Sequence, residues 1–136
     1  TPSVRRAALI GIRSLDDGER ELIRELDVRV FTMSEIDRIG VERAVAEALE
    51  FLSDSSFLHV SLDLDAVDPM FAPGVGTPVP GGLSYREAHL ALELVAESAL
   101  LDSLDVVEVN PILDRANETG RLAVELVASA LGRRIL

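Results

Sequence analysis

Two aspartates separated by one residue, Asp63 and Asp65, are the strongest candidates for chemistry in this sequence. They follow an apolar segment typical of a buried strand, and residues two apart on a strand project to the same face. Two carboxylates held that close raise each other's pKa unless a cation neutralises them. Divalent cations such as Mg²⁺ and Mn²⁺ prefer such oxygen ligands. The pattern therefore predicts a divalent metal site at the carboxyl end of a strand.

Aspartates near strand ends also have structural roles. One of the pair could cap the next turn while the other pairs with an arginine. The position of Asp63 and Asp65, between an apolar segment and a loop rich in glycine and proline, favours the metal site. Asp68 directly precedes Pro69 and is interpreted as a turn residue rather than as a third ligand.

Residues 69–82 contain four of the six prolines and four of the nine glycines, which predicts an ordered loop without regular secondary structure. The loop has neither the G-x-G-x-x-G spacing nor the P-loop spacing, and the chain contains no lysine, so nucleotide binding is excluded. We expect the loop to present Thr77 towards the carboxylates, with a purely structural turn as the alternative.

Further carboxylates follow other predicted strands. Glu108 stands just before Asn110 and Pro111, where it could bind a cationic group such as a guanidinium through both oxygens. A salt bridge to an arginine of this chain is the alternative. Asp16 and Asp17 follow the first predicted strand and could extend this acidic edge, although helix capping is their more ordinary role.

Neither histidine is predicted to bind the metal that Asp63 and Asp65 would hold. His59 lies four residues before Asp63, more than ~12 Å away along an extended strand, so it is interpreted as a core histidine or one placed behind the metal ligands. His89 falls within a predicted helix, and we expect it either at the surface or in the packing of that helix against its neighbours.

Composition limits the class of protein. A length of 136 residues suits one domain, and 48% hydrophobic with 27% charged residues is typical of a globular protein. A net charge of −11 argues against nucleic acid and anionic membrane surfaces as partners. The absence of cysteine excludes disulfides and thiol chemistry. With no apolar run long enough to span a bilayer and no visible signal peptide, we expect a soluble cytoplasmic protein.

Apolar segments and helix-capping signals alternate along the chain. They predict strands at 4–12, 28–32, 57–64 and 104–109, and helices at 19–26, 41–52, 84 to about 101, and 118–134. Capping-box spacing begins at Ser34 and at Ser84, and Arg133 and Arg134 are expected in the last turn of the final helix. This order predicts an α/β fold with a mostly parallel sheet, covered by helices on both faces, whose functional groups gather at the carboxyl ends of the strands.

Four ordered segments resemble the carboxyl-terminal half of an arginase, in the ureohydrolase family. They are IGIRSLDDGE (10–19), SLDLDAVDP (61–69), GVGTPVPGGLSYREA (74–88) and EVNPILD (108–114). EVNP is more similar to arginase than to agmatinase, which usually has Ser in place of Asn110. The resemblance implies a three-layer αβα fold that is incomplete here, with residues 1–136 forming the carboxyl-terminal part of a single catalytic domain.

The resemblance also implies an activity, the manganese-dependent hydrolysis of L-arginine to L-ornithine and urea at a dinuclear Mn²⁺ centre. By motif match, Asp63 would bridge the two ions and Asp65 would hold one of them. Glu108 would bind the substrate guanidinium, and Thr77 would form a hydrogen bond near the reacting centre.

For the rest of the substrate, the resemblance implies that Asp16 and Glu19 receive the α-amino group of L-arginine, directly or through water. Complete arginases are expected to be homo-oligomers, trimers or hexamers.

The family's other four metal ligands come from a GGDH motif and a DAHxD motif, and neither is present in this sequence. We therefore expect a fragment that binds Mn²⁺ weakly and is inactive without an N-terminal half. Two alternatives stand beside arginase: agmatinase or another guanidino hydrolase, and a non-catalytic module for oligomerisation or regulation.

Overall fold

Strands and helices alternate along the chain in the computed structural model, which describes residues 6–134. The elements are β1 (Ala7–Ile12), α1 (Asp17–Glu25), β2 (Val28–Thr32), α2 (Met33–Ile39), α3 (Val41–Leu52), β3 (Leu58–Asp63), α4 (Tyr85–Ser98), β4 (Leu101–Val107) and α5 (Glu118–Ala130). A single 3₁₀ turn, Leu64–Ala66, directly follows β3. The predicted strand 4–12 is confirmed from Ala7 onward, and its first two residues lie outside the described range.

The strands form two parallel pairs, which confirms the predicted α/β class. β1 pairs with β2, with Ala7 opposite Val28, and β3 pairs with β4, with Leu58 opposite Leu101. Across residues 6–134, the two pairs are not hydrogen-bonded to each other, and residues of β1 and β3 line one cavity, so the predicted sheet is divided between β1 and β3.

Helices α2, α3, α4 and α5 pack side by side in chain order and form the main helical layer. Their apolar faces meet the strands in a core whose fully buried side chains include Phe31, Ile36, Val45, Leu64, Val67 and Leu126. Residues of β1 and β3 line one cavity, and those of β2 and β4 do not, so the chain crosses from β1 to β2 in the opposite direction to its crossing from β3 to β4. Right-handed connections therefore place α1 on the other face from α4. Among the described residues of α1 none is buried, and Leu22 and Leu26 are 54% and 53% exposed.

The boundary between α4 and β4 differs from the prediction. The helix ends at Ser98 rather than near residue 101, because Ala99 adopts a left-handed conformation with φ 56°. β4 then begins at Leu101, three residues before the predicted start, and ends at Val107 because Glu108 has φ 64°. The apolar pattern passes from helix to strand without a glycine or proline to mark the change.

Two helix ends also differ. α5 ends at Ala130 because Gly132, with φ 86°, terminates it, so Arg133 and Arg134 lie beyond the last turn. The Arg134 guanidinium instead lies 3.1 Å from Glu97. At the start of α2, the capping residue is Thr32 rather than Ser34, since the Thr32 hydroxyl accepts the N–H of Glu35 at 3.2 Å. The full capping box at Ser84 is confirmed.

The two histidines occupy different environments. His59 is exposed rather than in the core; its Nδ1 lies 2.6 Å from the Ser103 hydroxyl and its Nε2 lies 3.3 Å from Asp105. His89 is 7% exposed and packs between α4 and α5, where its Nδ1 lies 2.9 Å from the Ser129 hydroxyl and its ring contacts Tyr85. Its other nitrogen, Nε2, is buried without a hydrogen-bond partner among residues 6–134.

Across residues 6–134, no helix has both the length and the apolar character that crossing a bilayer requires.

The packing of His89 makes stability depend on pH. Burial lowers its pKa below the ordinary value of 6.5, and the charge of Arg86 lowers it further against the opposing charges of Glu125 and Glu93. The unfolded chain therefore binds the proton first, and we expect the free energy of unfolding to fall as the pH drops below about 6.5. One proton sets an upper limit of about 1.4 kcal/mol per pH unit on the slope from this group.

Urea denaturation at a series of pH values measures this slope. H89Q is expected to remove the contribution of His89, whereas H59Q, the matched change at the exposed histidine, keeps it. An unchanged slope in H89Q would contradict the assignment.

Candidate active site

Asp63 and Asp65 lie together where β3 ends. Asp63 is the last residue of the strand, and its carboxylate accepts the backbone N–H of Asp65 at 3.0 Å. This bond turns the chain into the 3₁₀ turn, so Asp65 lies in that turn and not on the strand. The predicted strand alternation is therefore not what relates the two side chains. Both nevertheless line one cavity, as a shared site requires.

The surroundings of Asp63 at the end of β3 disfavour the negatively charged form of its carboxyl group. Burial raises the pKa of Asp63, the N–H of Asp65 partly opposes that effect, and the charges of Asp65 and Glu108 raise the pKa further. A bound cation would relieve both the burial and the repulsion. The arrangement thus suits a cation with oxygen ligands.

Thr77, in loop 69–82, lies beside the carboxylates of Asp63 and Asp65. Its hydroxyl donates to the second carboxylate oxygen of Asp65 at 3.3 Å, and its side chain lines the cavity. Thr77 was expected to face the carboxylates, and the structure places it there.

Loop 69–82 is ordered because polar groups hold its two ends together. The Asp68 carboxylate accepts the backbone N–H groups of Met70, Gly81 and Gly82 at 2.9, 2.7 and 3.2 Å. The hydrogen bond from Met70 makes the largest contribution to a lowered pKa of Asp68. This geometry agrees with the interpretation of Asp68 as a turn residue.

Arg13, one residue after β1, fixes the loop to the 3₁₀ turn. Its Nε donates to the carbonyl oxygen of Val79 at 2.9 Å, and one terminal nitrogen donates to the carbonyl oxygen of Asp65 at 2.7 Å. The other terminal nitrogen reaches the carbonyl of Gly11 at 3.3 Å. A single guanidinium thereby joins the carboxyl ends of β1 and β3.

Glu108 follows β4 and borders the same region from the other side. It is exposed, and its carboxylate lies close enough to Gly76 that a Cβ built there would be 3.2 Å from Oε2. Its charge reaches Asp63, as the pKa of that carboxyl indicates. The structure brings Glu108 near Asp63, although Glu108 does not line the cavity.

Asp16 and Glu19 cap α1 reciprocally. Asp16 accepts the N–H of Glu19 at 2.8 Å, and Glu19 accepts the N–H of Asp16 at 2.7 Å. Each carboxylate therefore has one oxygen outside this pair of hydrogen bonds. Glu19 lines the cavity with Asp63 and Asp65, whereas Asp16 lies outside the lining.

The chain matches the Arginase family model over residues 2–132. The chain belongs to the arginase family. It is 55% identical to an arginase from Bacillus subtilis over 128 residues, which is 94% of this chain and 43% of that protein. The crystal structure of a Bacillus subtilis arginase superposes with a TM-score of 0.93 at 54% identity, covering 95% of this chain and 46% of the other. The native arginase structure from Bacillus caldovelox gives a TM-score of 0.92 at 50% identity, with 95% and 44% covered.

The chain therefore spans less than half the length of these arginase relatives. In the described part of the chain, no group of three or more histidine, cysteine, aspartate or glutamate side chains is placed to hold a metal ion.

The sequence did not predict two sets of polar contacts in this arginase-family chain. One is the set of hydrogen bonds donated by Arg13, and the other is the junction between loop 69–82 and α5. In the junction, the buried Thr119 hydroxyl accepts the N–H of Gly74 at 2.7 Å. Burial acts to raise the pKa of Asp114, but N–H groups at the start of α5 and at Arg115 outweigh it and lower the pKa. Arg13 and Asp114 each follow the end of a strand and lie within the motifs at 10–19 and 108–114. This position is the sequence signal that could have pointed to their contacts.

The junction makes Gly74 sensitive to substitution. A Cβ at Gly74 would lie 2.4 Å from the Cβ of Asp114 and 2.7 Å from its Cα, so G74A must displace backbone. We expect a loss of about 1–3 kcal/mol in the free energy of unfolding. Gly120, inside α5, has room for a Cβ, which would lie 3.9 Å from Asp114.

G120A is the matched control and is expected to stabilise the chain by up to about 1 kcal/mol through helix propensity. Chemical denaturation of both variants measures the difference. Equal effects of the two substitutions would show that Gly74 is not tightly packed against Asp114.

Proposed function

We propose that this chain supplies one part of the active site of a manganese-dependent arginase, which hydrolyses L-arginine to L-ornithine and urea. The observation that carries the proposal is the carboxylate pair Asp63 and Asp65, placed at the carboxyl end of β3 in a chain 55% identical to an arginase. Membership of the arginase family supports the substrate and the type of reaction.

Asp63 and Asp65 are the residues that would hold manganese. The raised pKa of Asp63 is expected for a carboxylate whose charge a bound cation would balance. When bound, manganese supplies an activated water and polarises the carbon that the water attacks. The Thr77 hydroxyl, at 3.3 Å from Asp65, keeps that carboxylate in a fixed orientation.

Glu108 is proposed to bind the substrate guanidinium. A carboxylate can accept two parallel hydrogen bonds from a guanidinium, which fixes both its position and its plane. Glu108 has φ 64°, a conformation that a residue other than glycine rarely adopts and that is often found at functional sites. Its exposure leaves the carboxylate open to a ligand, and its charge already acts on Asp63.

Asp16 and Glu19 are proposed to receive the α-amino group of arginine, directly or through water. Their reciprocal hydrogen bonds hold both carboxylates at the start of α1. The oxygens outside that pair of bonds can accept from an ammonium group. Glu19, unlike Asp16, lines the cavity that Asp63 and Asp65 share.

The remaining metal ligands are proposed to come from the part of the arginase relatives that this chain does not span. We also propose that the complete enzyme is a homo-oligomer, a trimer or hexamer. The chain alone is then expected to release no urea from L-arginine.

Co-expression with the N-terminal portion of Bacillus subtilis arginase, the part outside the matched region, tests the proposal. Urea release from L-arginine with Mn²⁺ is expected only from the combined chains. D63N and E108Q should each reduce the rate by at least about 100-fold, since each removes a charge that contacts metal or substrate.

D37N, which neutralises an exposed aspartate on α2, is the matched control and should leave the rate unchanged. Agmatine, which lacks the α-carboxyl group, should be hydrolysed far more slowly than arginine. Full activity in D63N would refute the assignment of the carboxylate pair, and a preference for agmatine would refute the assignment of the substrate.

A further inference from the structure

The Glu108 carboxylate is free of ionic partners in the described part of the chain. Its backbone adopts a left-handed conformation, with φ 64°, directly after β4. Among residues 6–134, no arginine or histidine forms a salt bridge with it. The salt bridge that stands as the alternative to guanidinium binding therefore does not form there. The position of this carboxylate then depends strongly on the groups that pack against it.

Gly76, in loop 69–82, packs against the Glu108 carboxylate. A Cβ built at Gly76 would lie 3.2 Å from Oε2 of Glu108, which is closer than ordinary van der Waals contact. Both residues are exposed, so a ligand can reach the place where they meet. The absence of a side chain at position 76 lets the carboxylate lie this close to the loop backbone.

The segment that carries Gly76 is held in place on its N-terminal side. The carbonyl oxygen of Gly74 accepts the backbone N–H of Asn110 at 2.8 Å, and Gly74 also belongs to the junction between the loop and α5. Val75, between the two glycines, is 1% exposed. A side chain added at position 76 is therefore expected to displace the Glu108 carboxylate rather than the loop.

The next residue of the same segment contacts the carboxylate pair at the end of β3. The Thr77 hydroxyl donates to Asp65 at 3.3 Å, so two adjacent residues contact Glu108 and Asp65 respectively. In the proposed reaction, the guanidinium bound by Glu108 has to lie at reacting distance from the metal centre. The separation between Glu108 and Asp65 is therefore a geometric requirement of that reaction.

We propose that Gly76 is a positioning residue for the guanidinium site, because the absence of a side chain there sets where the Glu108 carboxylate lies relative to Asp65. This inference rests on the proposed function, in which Glu108 binds the guanidinium of L-arginine. A methyl group at position 76 pushes the carboxylate away by a few tenths of an ångström. Paired hydrogen bonds from a guanidinium require close alignment, which this displacement removes.

G76A is expected to change substrate alignment without loss of stability. The new Cβ would meet the far end of a flexible side chain, which moves at little cost, whereas a Cβ at Gly74 would meet the backbone of Asp114. Gly76 is not among the glycines with positive φ, so alanine is compatible with its backbone. We therefore expect the thermal unfolding midpoint of G76A to equal that of the unsubstituted chain.

Steady-state kinetics of the combined chains, formed with the N-terminal portion of Bacillus subtilis arginase, measure the effect. G76A is expected to lower kcat/KM for L-arginine about tenfold, since a small misplacement of a binding group impairs alignment. Mn²⁺ affinity should stay unchanged because, apart from its chain neighbours, Glu108 is the only residue of 6–134 within 4 Å of the built Cβ. G120A, whose Cβ would lie 3.9 Å from Asp114, is the matched control and should leave both quantities unchanged.

E108D distinguishes displacement of the carboxylate from a general disturbance of the loop. Aspartate is one methylene shorter, so its carboxylate would not meet a Cβ at position 76. E108D alone is expected to lower kcat/KM, and adding G76A should then have little further effect. If G76A lowered kcat/KM by the same factor with and without E108D, its effect would not pass through Glu108, and the inference would be wrong.

Crystal structures of the combined chains provide a readout that does not depend on turnover. In G76A, the Glu108 carboxylate is expected to move away from position 76 while the backbone of residues 74–77 keeps its place. An unmoved carboxylate, an unchanged kcat/KM, a lowered Mn²⁺ affinity or a lowered unfolding midpoint in G76A would overturn the inference. These results leave the proposed function intact. Absence of urea release from the unsubstituted combined chains would instead reject the proposed function, and the role of Gly76 with it.

Discussion

The guanidinium of Arg13 donates hydrogen bonds to backbone carbonyl groups from β1, from the 3₁₀ turn and from loop 69–82. These segments belong to two strand pairs that share no backbone hydrogen bonds within residues 6–134. An arginine suits this position because its planar donors reach several acceptors in fixed directions, which a lysine ammonium does not do. The relative placement of Asp65 and Val79, and with it the shape of the site, depends on this contact.

The site follows from two kinds of constraint acting on one edge of the fold. Parallel strands bring their carboxyl ends together, and polar side chains then hold the connecting loops against those ends. Asp68 closes loop 69–82, while Thr119 and Asp114 fix its middle to the start of α5. Asp63 is left partly buried beside two other carboxylates. That state is unfavourable for a free acidic cluster and suitable for a bound cation.

The sequence predicted the alternating α/β order, the limits of β2 and α3, the ordered loop and the residues of the carboxylate corner. Local patterns were enough where a glycine, proline or capping residue marks the boundary, as at Ser84. They failed at Ala99 and Glu108, where residues other than glycine adopt a positive φ that no residue type announces. The gap between β1 and β3 could not be predicted from local patterns, because strand order depends on long-range packing.

We propose that Asp63 and Asp65 are one part of a manganese centre completed by a second segment. Equilibrium binding of Mn²⁺, followed by loss of the free-ion electron paramagnetic resonance signal, tests this claim most directly. We expect weak binding by the chain alone and tight binding by the complex with the N-terminal portion of Bacillus subtilis arginase, abolished by D63N. Equally tight binding by the chain alone, or tight binding by the complex that survives D63N, would contradict it.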